Sequence, residues 1–335
     1  MKKSSLGNFK KDINNIREYI EHIDLVNKVE QNNREEIDDK SIKKFIQHFR
    51  KFSREKKRFE HRAVIISLYG ILENHINLWV QEHIDNIPLI LKDDSLLSSK
   101  LIASNFKLSI ELISIILKQK NNPKYENIDK ENILKKLNSV DFELNSEAFI
   151  SASGNLTHQK IVELFAPLEI DAKKINKNPI IHSKKSTIDT LISLRNEISH
   201  GTKIDNIITE FSDYIDSLEE YGKALFSILE EKEEIYKIIY EIKHNFYKIE
   251  KIYDVIDNSI LLFEIRNNTL SVGDYIIILV NGDLFKNKVL SIELDNEKIE
   301  KVETDDMQNI GVKLESNFNI KKNQTFYIKK REYNS

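Results

Sequence analysis

The chain has 335 residues, with only 8 Gly and 4 Pro, no Cys, 40% hydrophobic residues and a formal net charge of −3. Average proteins carry roughly 7% Gly and 5% Pro, so collagen-like, proline-rich and Gly/Ser low-complexity architectures are excluded, and long helices with few breaks are favoured. The lack of Cys excludes a disulfide framework, a thiol nucleophile and thiolate metal sites, while the small net charge singles out no class of partner. The apolar content suffices for a sizeable core, and the length predicts two folded parts.

The first residues, Met1 to Ile13, are polar and do not resemble a secretory signal. The longest nearly uninterrupted apolar run, Ala63 to Leu72, is short for a bilayer span. A cytoplasmic protein without membrane attachment is therefore expected. From Phe9 to about Val26, Ile13, Ile16, Tyr19, Ile20, Ile23 and Leu25 recur mostly at steps of three and four, which predicts a helix. Asp38, Asp39 or Ser41 can cap the next helix. That helix begins basic: Ser41 to Arg62 holds nine Lys and Arg against Glu55 and Glu60, a local net of +7 that leaves −10 for the rest. It then turns apolar through Val64, Ile65, Leu68, Tyr69, Leu72, Ile76, Trp79 and Val80, up to Pro88.

All four Pro lie between positions 88 and 179, which predicts shorter helices joined by loops, with Leu101 to Leu117 the clearest. After Pro179, Ser186 or Thr187 is the expected cap of a helix carrying Ile188, Leu191, Ile192 and Leu194 and closed by Gly201. A long amphipathic tract follows from about Asp205 to Ile252, with Leu218, Tyr221, Leu225, Ile228 and Leu229 on one face. Near Asp254 the period changes to two. Ile260–Ile265, Tyr275–Val280, Lys288–Leu294, Asn309–Leu314 and Thr325–Lys329 read as strands separated by turn residues, as in a small antiparallel barrel.

Motifs for phosphate-binding loops, dinucleotide folds and helical zinc proteases are missing from the sequence. His61, His75 and His83 share one predicted helix, but their spacings of fourteen and eight do not suit metal ligation, and no metal or cofactor is expected. The informative string is Leu194-Arg195-Asn196-Glu197-Ile198-Ser199-His200-Gly201. A guanidinium can hold a phosphate bidentately, and an imidazole titrating near neutrality can move a proton. RNA brings its own nucleophile, the 2′-hydroxyl, so such a site needs no metal. The same residues at a helix carboxyl end can also simply meet the helix dipole and the last carbonyls.

Arg195-Asn196-x-x-x-His200 resembles the Arg-x4-6-His motif of HEPN proteins. Glu60-His61-Arg62-Ala63-Val64-Ile65 through Tyr69, Leu72-Glu73 and Trp79-Val80 is similar to the first long core helix of the MAE-type HEPN nucleases, and Ser153-Gly154-Asn155-Leu156-Thr157 to a connecting motif of that group. The resemblance covers about Phe59 to Tyr221. It implies a helical bundle that forms a homodimer or higher even oligomer, bringing two motifs into one cleft that cuts RNA without metal. By that resemblance Arg195 binds the scissile phosphate, His200 transfers a proton and Asn196 orients the motif or substrate. Glu73 positions Arg195 or His200, or is a buried structural acid. A role in phage defence or toxin-like growth arrest is also what the resemblance implies, with an activator or antitoxin protein as a partner.

Geometry adds a condition: positions 195 and 200 differ by about 140° on an ideal helix, so the helix must end or distort near His200. Lys51, Arg54, Lys57, Arg58 and Arg62 are the candidate RNA contacts, with the interleaved Phe45, Phe49, Phe52 and Phe59 expected to pack inward. In the last part, Val272-Gly273-Asp274-Tyr275-Ile276, Lys288-Val289-Leu290-Ser291-Ile292-Glu293 and Gly311-Val312-Lys313-Leu314 resemble the second, β-barrel domain of translational GTPases such as elongation factor Tu. That resemblance implies recognition of tRNA or a translation component, or a role in assembly. From Ile256 onward, 11 Lys and Arg against 13 Asp and Glu give no basic bias.

The expected fold is therefore α+β and multidomain: a mainly α-helical HEPN-type bundle over residues 1–253 and a small antiparallel β-barrel over 254–335. The expected function is a metal-independent endoribonuclease. The alternative is a non-catalytic HEPN protein that binds nucleotide, RNA or a partner.

Overall fold

The computed structural model describes residues 2–32, 40–119, 125, 128–138, 143–151, 156–201, 211–280, 283–315 and 319–330. Contacts divide the chain into two units, 1–89 with 93–233, and 90–92 with 234–335.

Among the described residues nine α-helices precede ten β-strands, an α+β arrangement with helical and sheet parts in sequence. The helices are α1 (Lys3–Asn32), α2 (Lys40–Leu91), α3 (Ser99–Lys118), α4 (Lys130–Asn138), α5 (Ser146–Ser151), α6 (His158–Phe165), α7 (Ala172–Asn176), α8 (Pro179–Ser199) and α9 (Ser212–Asn245). The basic and apolar segments predicted around Arg62 form the single 52-residue α2. Pro88 lies in its last turn, where its missing N–H costs one helical bond just before the helix stops. The candidate caps Asp38 and Asp39 lie outside the described residues. The stretch Glu55–Leu91 is long and apolar enough to cross a membrane by length and composition, and half of its most apolar window is buried within the protein, as in a core helix.

The helical core forms where the predicted stripes meet. Every named apolar residue of α2 from Val64 to Val80 is buried, as are Leu218, Tyr221, Leu225, Ile228 and Leu229 of α9. Trp79 is fully buried between Phe9 of α1 and Phe226 of α9, with edge-on ring contacts of 5.1 and 5.3 Å. Such aromatic pairs add to the burial energy and fix the mutual orientation of three helices. At Gly222 an added Cβ would lie 2.5 Å from the Phe9 ring, so a side chain there cannot be fitted without moving a fully buried residue. A second cluster joins α3, α4 and α5 through Leu112, Ile116, Ile133 and Ala148.

Three expectations about these elements are corrected. α8 begins at Pro179, seven residues before the expected Ser186, because the Asn178 side chain accepts from the Ile180 and Ile181 N–H groups and Pro179 pre-sets the first turn. α9 ends at Asn245 rather than near Ile252, and Phe246 to Lys248 already forms β1. Phe52 and Phe59 do not pack inward; they are 48% and 72% exposed.

The remaining strands are β2 (Ile252–Ile256), β3 (Ile260–Ile265), β4 (Asn268–Ser271), β5 (Tyr275–Val280), β6 (Asp283–Leu294), β7 (Glu297–Ile299), β8 (Lys301–Thr304), β9 (Gln308–Leu314) and β10 (Thr325–Lys329). They form a curled antiparallel sheet in the order β1-β10-β5-β6-β9-β3-β2, with β7 paired to β6 and a separate β4-β8 ladder. The long β6 pairs with β5 through its first half and with β9 through its second, bending at an irregularity between Val289 and Ser291. The two end strands of this order, β1 and β2, are neighbours in the chain, so the segment 246–256 runs from one end of the sheet to the other. Inward residues such as Leu261, Phe263, Ile276, Ile278, Ile292 and Phe326 form its core. This curl is compatible with the barrel resemblance. Gly273, at φ +92°, makes the turn into β5 that the sequence placed there.

Gly222→Val is expected to destabilise the protein by about 1–3 kcal/mol, because overpacking against Phe9 outweighs the small gain in helix propensity. The midpoint of denaturant unfolding checks this, and an unchanged midpoint would refute the close approach of α1 and α9.

Candidate functional site

The site starts with how α8 ends. The helix stops at Ser199; His200 sits at φ −86°, ψ 5°, outside the helical region, and its N–H still reaches the Asn196 and Ile198 carbonyls. Gly201 follows in the left-handed conformation, at φ +72°, and its N–H bonds to the Ile198 carbonyl at 3.1 Å. A residue with a Cβ would be strained at that φ. The helix end expected near His200 is therefore present. His200 is exposed, while Arg195 and Asn196 are half-buried.

Arg195 is held from two sides. One of its terminal nitrogens donates to Asn196 Oδ1 at 3.0 Å, and its guanidinium lies over the Tyr69 ring, 4.5 Å from the centroid. The ring face is negative, so this stacking favours the cation. Tyr69 belongs to the buried face of α2 and is fixed by its own hydroxyl, which accepts from the Leu156 N–H at 3.1 Å. Burial first, and Glu73 in addition, push the Tyr69 hydroxyl above its ordinary pKa, against the opposing effects of the Leu156 N–H and Arg195. Tyr69 thus stays protonated and able to donate.

Glu73, four residues further along α2, acts on the motif through its charge near the Tyr69 hydroxyl, and the Tyr69 ring carries Arg195. Leu156 belongs to the connecting segment picked out in the sequence; its first three residues, Ser153, Gly154 and Asn155, lie outside the described residues. In the sequence Tyr69 stands in an apolar stripe and in the segment similar to the first HEPN core helix, and neither pattern shows where its polar tip bonds.

The basic face is partly described. Lys57 is exposed, and Arg58 and Arg62 are half-buried, with Arg58 3.3 Å from Glu55. The side chains of Lys51 and Arg54 lie outside the described part. Of the four His of α2, His61, His75 and His83 are buried and His48 is exposed. His75 Nε2 lies 2.7 Å from Asp12 Oδ2, His83 Nδ1 lies 3.7 Å from Glu233, and His61 packs 5.4 Å from the Phe211 ring. Among the described residues no group of three or more His, Asp or Glu is arranged to hold a metal ion.

Two adjoining hollows open along α8. The larger, about 970 Å³, is lined by Lys185, Asp189 and Ser193 of α8 with His158 and Gln159 of α6 and Asn176 of α7. The smaller, about 390 Å³, shares Lys185, Asp189, Ser193 and Gln159 and extends to Asn196, which brings it to the motif. His158, 2% exposed, anchors this wall: its N–H donates to Asp189 Oδ1 at 3.1 Å, Nδ1 lies 2.9 Å from the Tyr221 hydroxyl and Nε2 2.8 Å from Asn176 Oδ1.

Residues 33–231, more than half of the chain, match the family model described as RiboL-PSP-HEPN. No curated protein matches the chain.

Tyr69→Phe is expected to keep the ring beneath Arg195 but to strip the buried Leu156 N–H of its acceptor, at about 1–3 kcal/mol of stability. Denaturant unfolding measures this, and a loss under about 0.5 kcal/mol would remove Tyr69 as the brace of the site.

Proposed function

The chain belongs to the RiboL-PSP-HEPN family, and from that premise we propose that it is an endoribonuclease that cuts RNA without metal at a composite site built by two copies of the chain. The observation that carries this is the end of α8: a stacked, oriented guanidinium at Arg195 and an exposed imidazole at His200, separated by a helix stop.

In this mechanism Arg195 grips the scissile phosphate and balances the charge that builds on its oxygens in the transition state. The RNA 2′-hydroxyl attacks phosphorus while a His200 imidazole takes its proton. The bond from phosphorus to the 5′-oxygen breaks, and a protonated His200 from the other copy supplies a proton to that leaving oxygen. Asn196, bonded to Arg195, keeps the guanidinium in register. Tyr69 and Glu73 are positioning residues that act through Arg195. The exposed basic face around Lys57 and Arg62 gives a backbone contact beside the cleft, and the curled β-sheet selects the target, with tRNA or a translation component as its class. Phage defence or growth arrest, held silent until an activator arrives or an antitoxin leaves, is the matching cellular role in the cytoplasm.

A non-catalytic binding role is the second reading, favoured by the same stacking contact, which would serve equally to hold a nucleotide phosphate. The two are separated by substitution. Arg195→Ala and His200→Ala are each expected to lower the cleavage rate by a factor of about 100 or more, with the oligomeric state by light scattering unchanged. Retained cleavage by the double variant would remove the site assignment.

A further inference from the structure

We propose that the groove along α8 is a base-reading subsite of the same nuclease site, and that Asp189 selects a nucleotide whose base carries an exocyclic amine. This rests on the assignment of Arg195 and His200 to RNA cleavage. Lys185, Asp189, Ser193 and Asn196 advance by four, four and three residues, so they line one face of α8. At 1.5 Å per residue, Lys185 to Asn196 covers about 16 Å. A single strand entering past Lys185 reaches the motif where Asn196 meets Arg195.

The lining chemistry fits base edges better than a chain of phosphates. Of the residues lining the hollow beside the motif, Lys185 is a cation and Asp189 an anion; Ser193 and Asn196 of α8, with Thr157 and Gln159 at the start of α6, are neutral donors and acceptors. No Phe, Tyr or Trp is among the lining residues, and the exposed His182 lines only the larger hollow, so in the hollow that reaches the motif bases are held by hydrogen bonds to their edges. Asp189 is the fixed element. Its Oδ1 is occupied by the His158 N–H, and His158 in turn is pinned at both ring nitrogens by Tyr221 and Asn176. Oδ2 makes no hydrogen bond to a described residue. A half-buried carboxylate with one oxygen committed and one available is a selective acceptor for the amine of cytosine, adenine or guanine. Uracil offers carbonyl oxygens at the corresponding position and is repelled.

The test uses the full-length His200→Ala protein, which does not consume its ligand, with two fluorescent single-stranded RNAs: an all-uridine oligomer and the same oligomer with one central cytidine. The cytidine RNA is expected to bind about tenfold more tightly. Adding Asp189→Asn keeps an oxygen for the His158 N–H but supplies an amide donor, and should shrink that preference to within about threefold. Ser193→Trp, which fills the groove from an exposed position, should weaken both RNAs and confirms the location if Asp189→Asn lowers stability. Equal binding of the two RNAs, an unchanged preference in Asp189→Asn, or cytidine monophosphate binding as tightly as the oligomer each overturns the proposal. Base-selective binding without cleavage by the wild type keeps the groove and removes the nuclease. Cleavage without base-selective binding does the reverse.

Discussion

Five steps along an ideal α-helix turn through about 500°, so side chains at 195 and 200 begin about 140° apart. At the end of that interval α8 stops: Gly201 takes a left-handed φ of +72°, the helix closes at Ser199, and the His200 N–H still bonds the Asn196 carbonyl at 3.0 Å. One glycine therefore ends the helix directly after the candidate proton-transfer group and leaves that group at an exposed terminus.

The other half of the pair is set by tertiary packing. Arg195 rests on the ring of Tyr69, and Tyr69 is immobile because α2 buries that face from Val64 to Val80 around Trp79. The hydroxyl at the far end of the ring ties two separate parts of the chain together, α2 and the backbone at Leu156. A guanidinium held flat in this way loses less freedom on gripping a phosphate than one extended into water. Core and site are thus the same structure, and damage to the core is expected to reach the site through Tyr69.

Much of this was legible in the sequence. The α2 and α9 stripes, the strands Ile260–Ile265, Tyr275–Val280 and Thr325–Lys329, and the helix end at His200 follow from periodicity and from glycine placement. The misses have physical causes. The start of α8 was hidden because the brief apolar pair Ile180-Ile181 is followed by the polar run His182 to Thr187, and the apolar stripe becomes dense only from Ile188. β1, β4, β7 and β8 are short strands of three or four residues, too brief for alternation to register. Phe52 and Phe59 have helical spacing, but spacing alone does not say whether a neighbour covers the stripe. The groove beside the motif needed three-dimensional proximity: Asp189 and His158 are 31 residues apart and neither belongs to a recognisable pattern.

The most direct measurement is the chemistry of the RNA ends. Purified wild-type protein and His200→Ala would be incubated with total cellular RNA in the presence of a chelator, and the new termini mapped and sequenced. Attack by the 2′-hydroxyl gives discrete cuts with 2′,3′-cyclic phosphate and 5′-hydroxyl ends, made by the wild type alone and indifferent to the chelator. Cuts that carry 5′-phosphate, that vanish with chelator, or that His200→Ala makes equally well would contradict a metal-free site at Arg195 and His200.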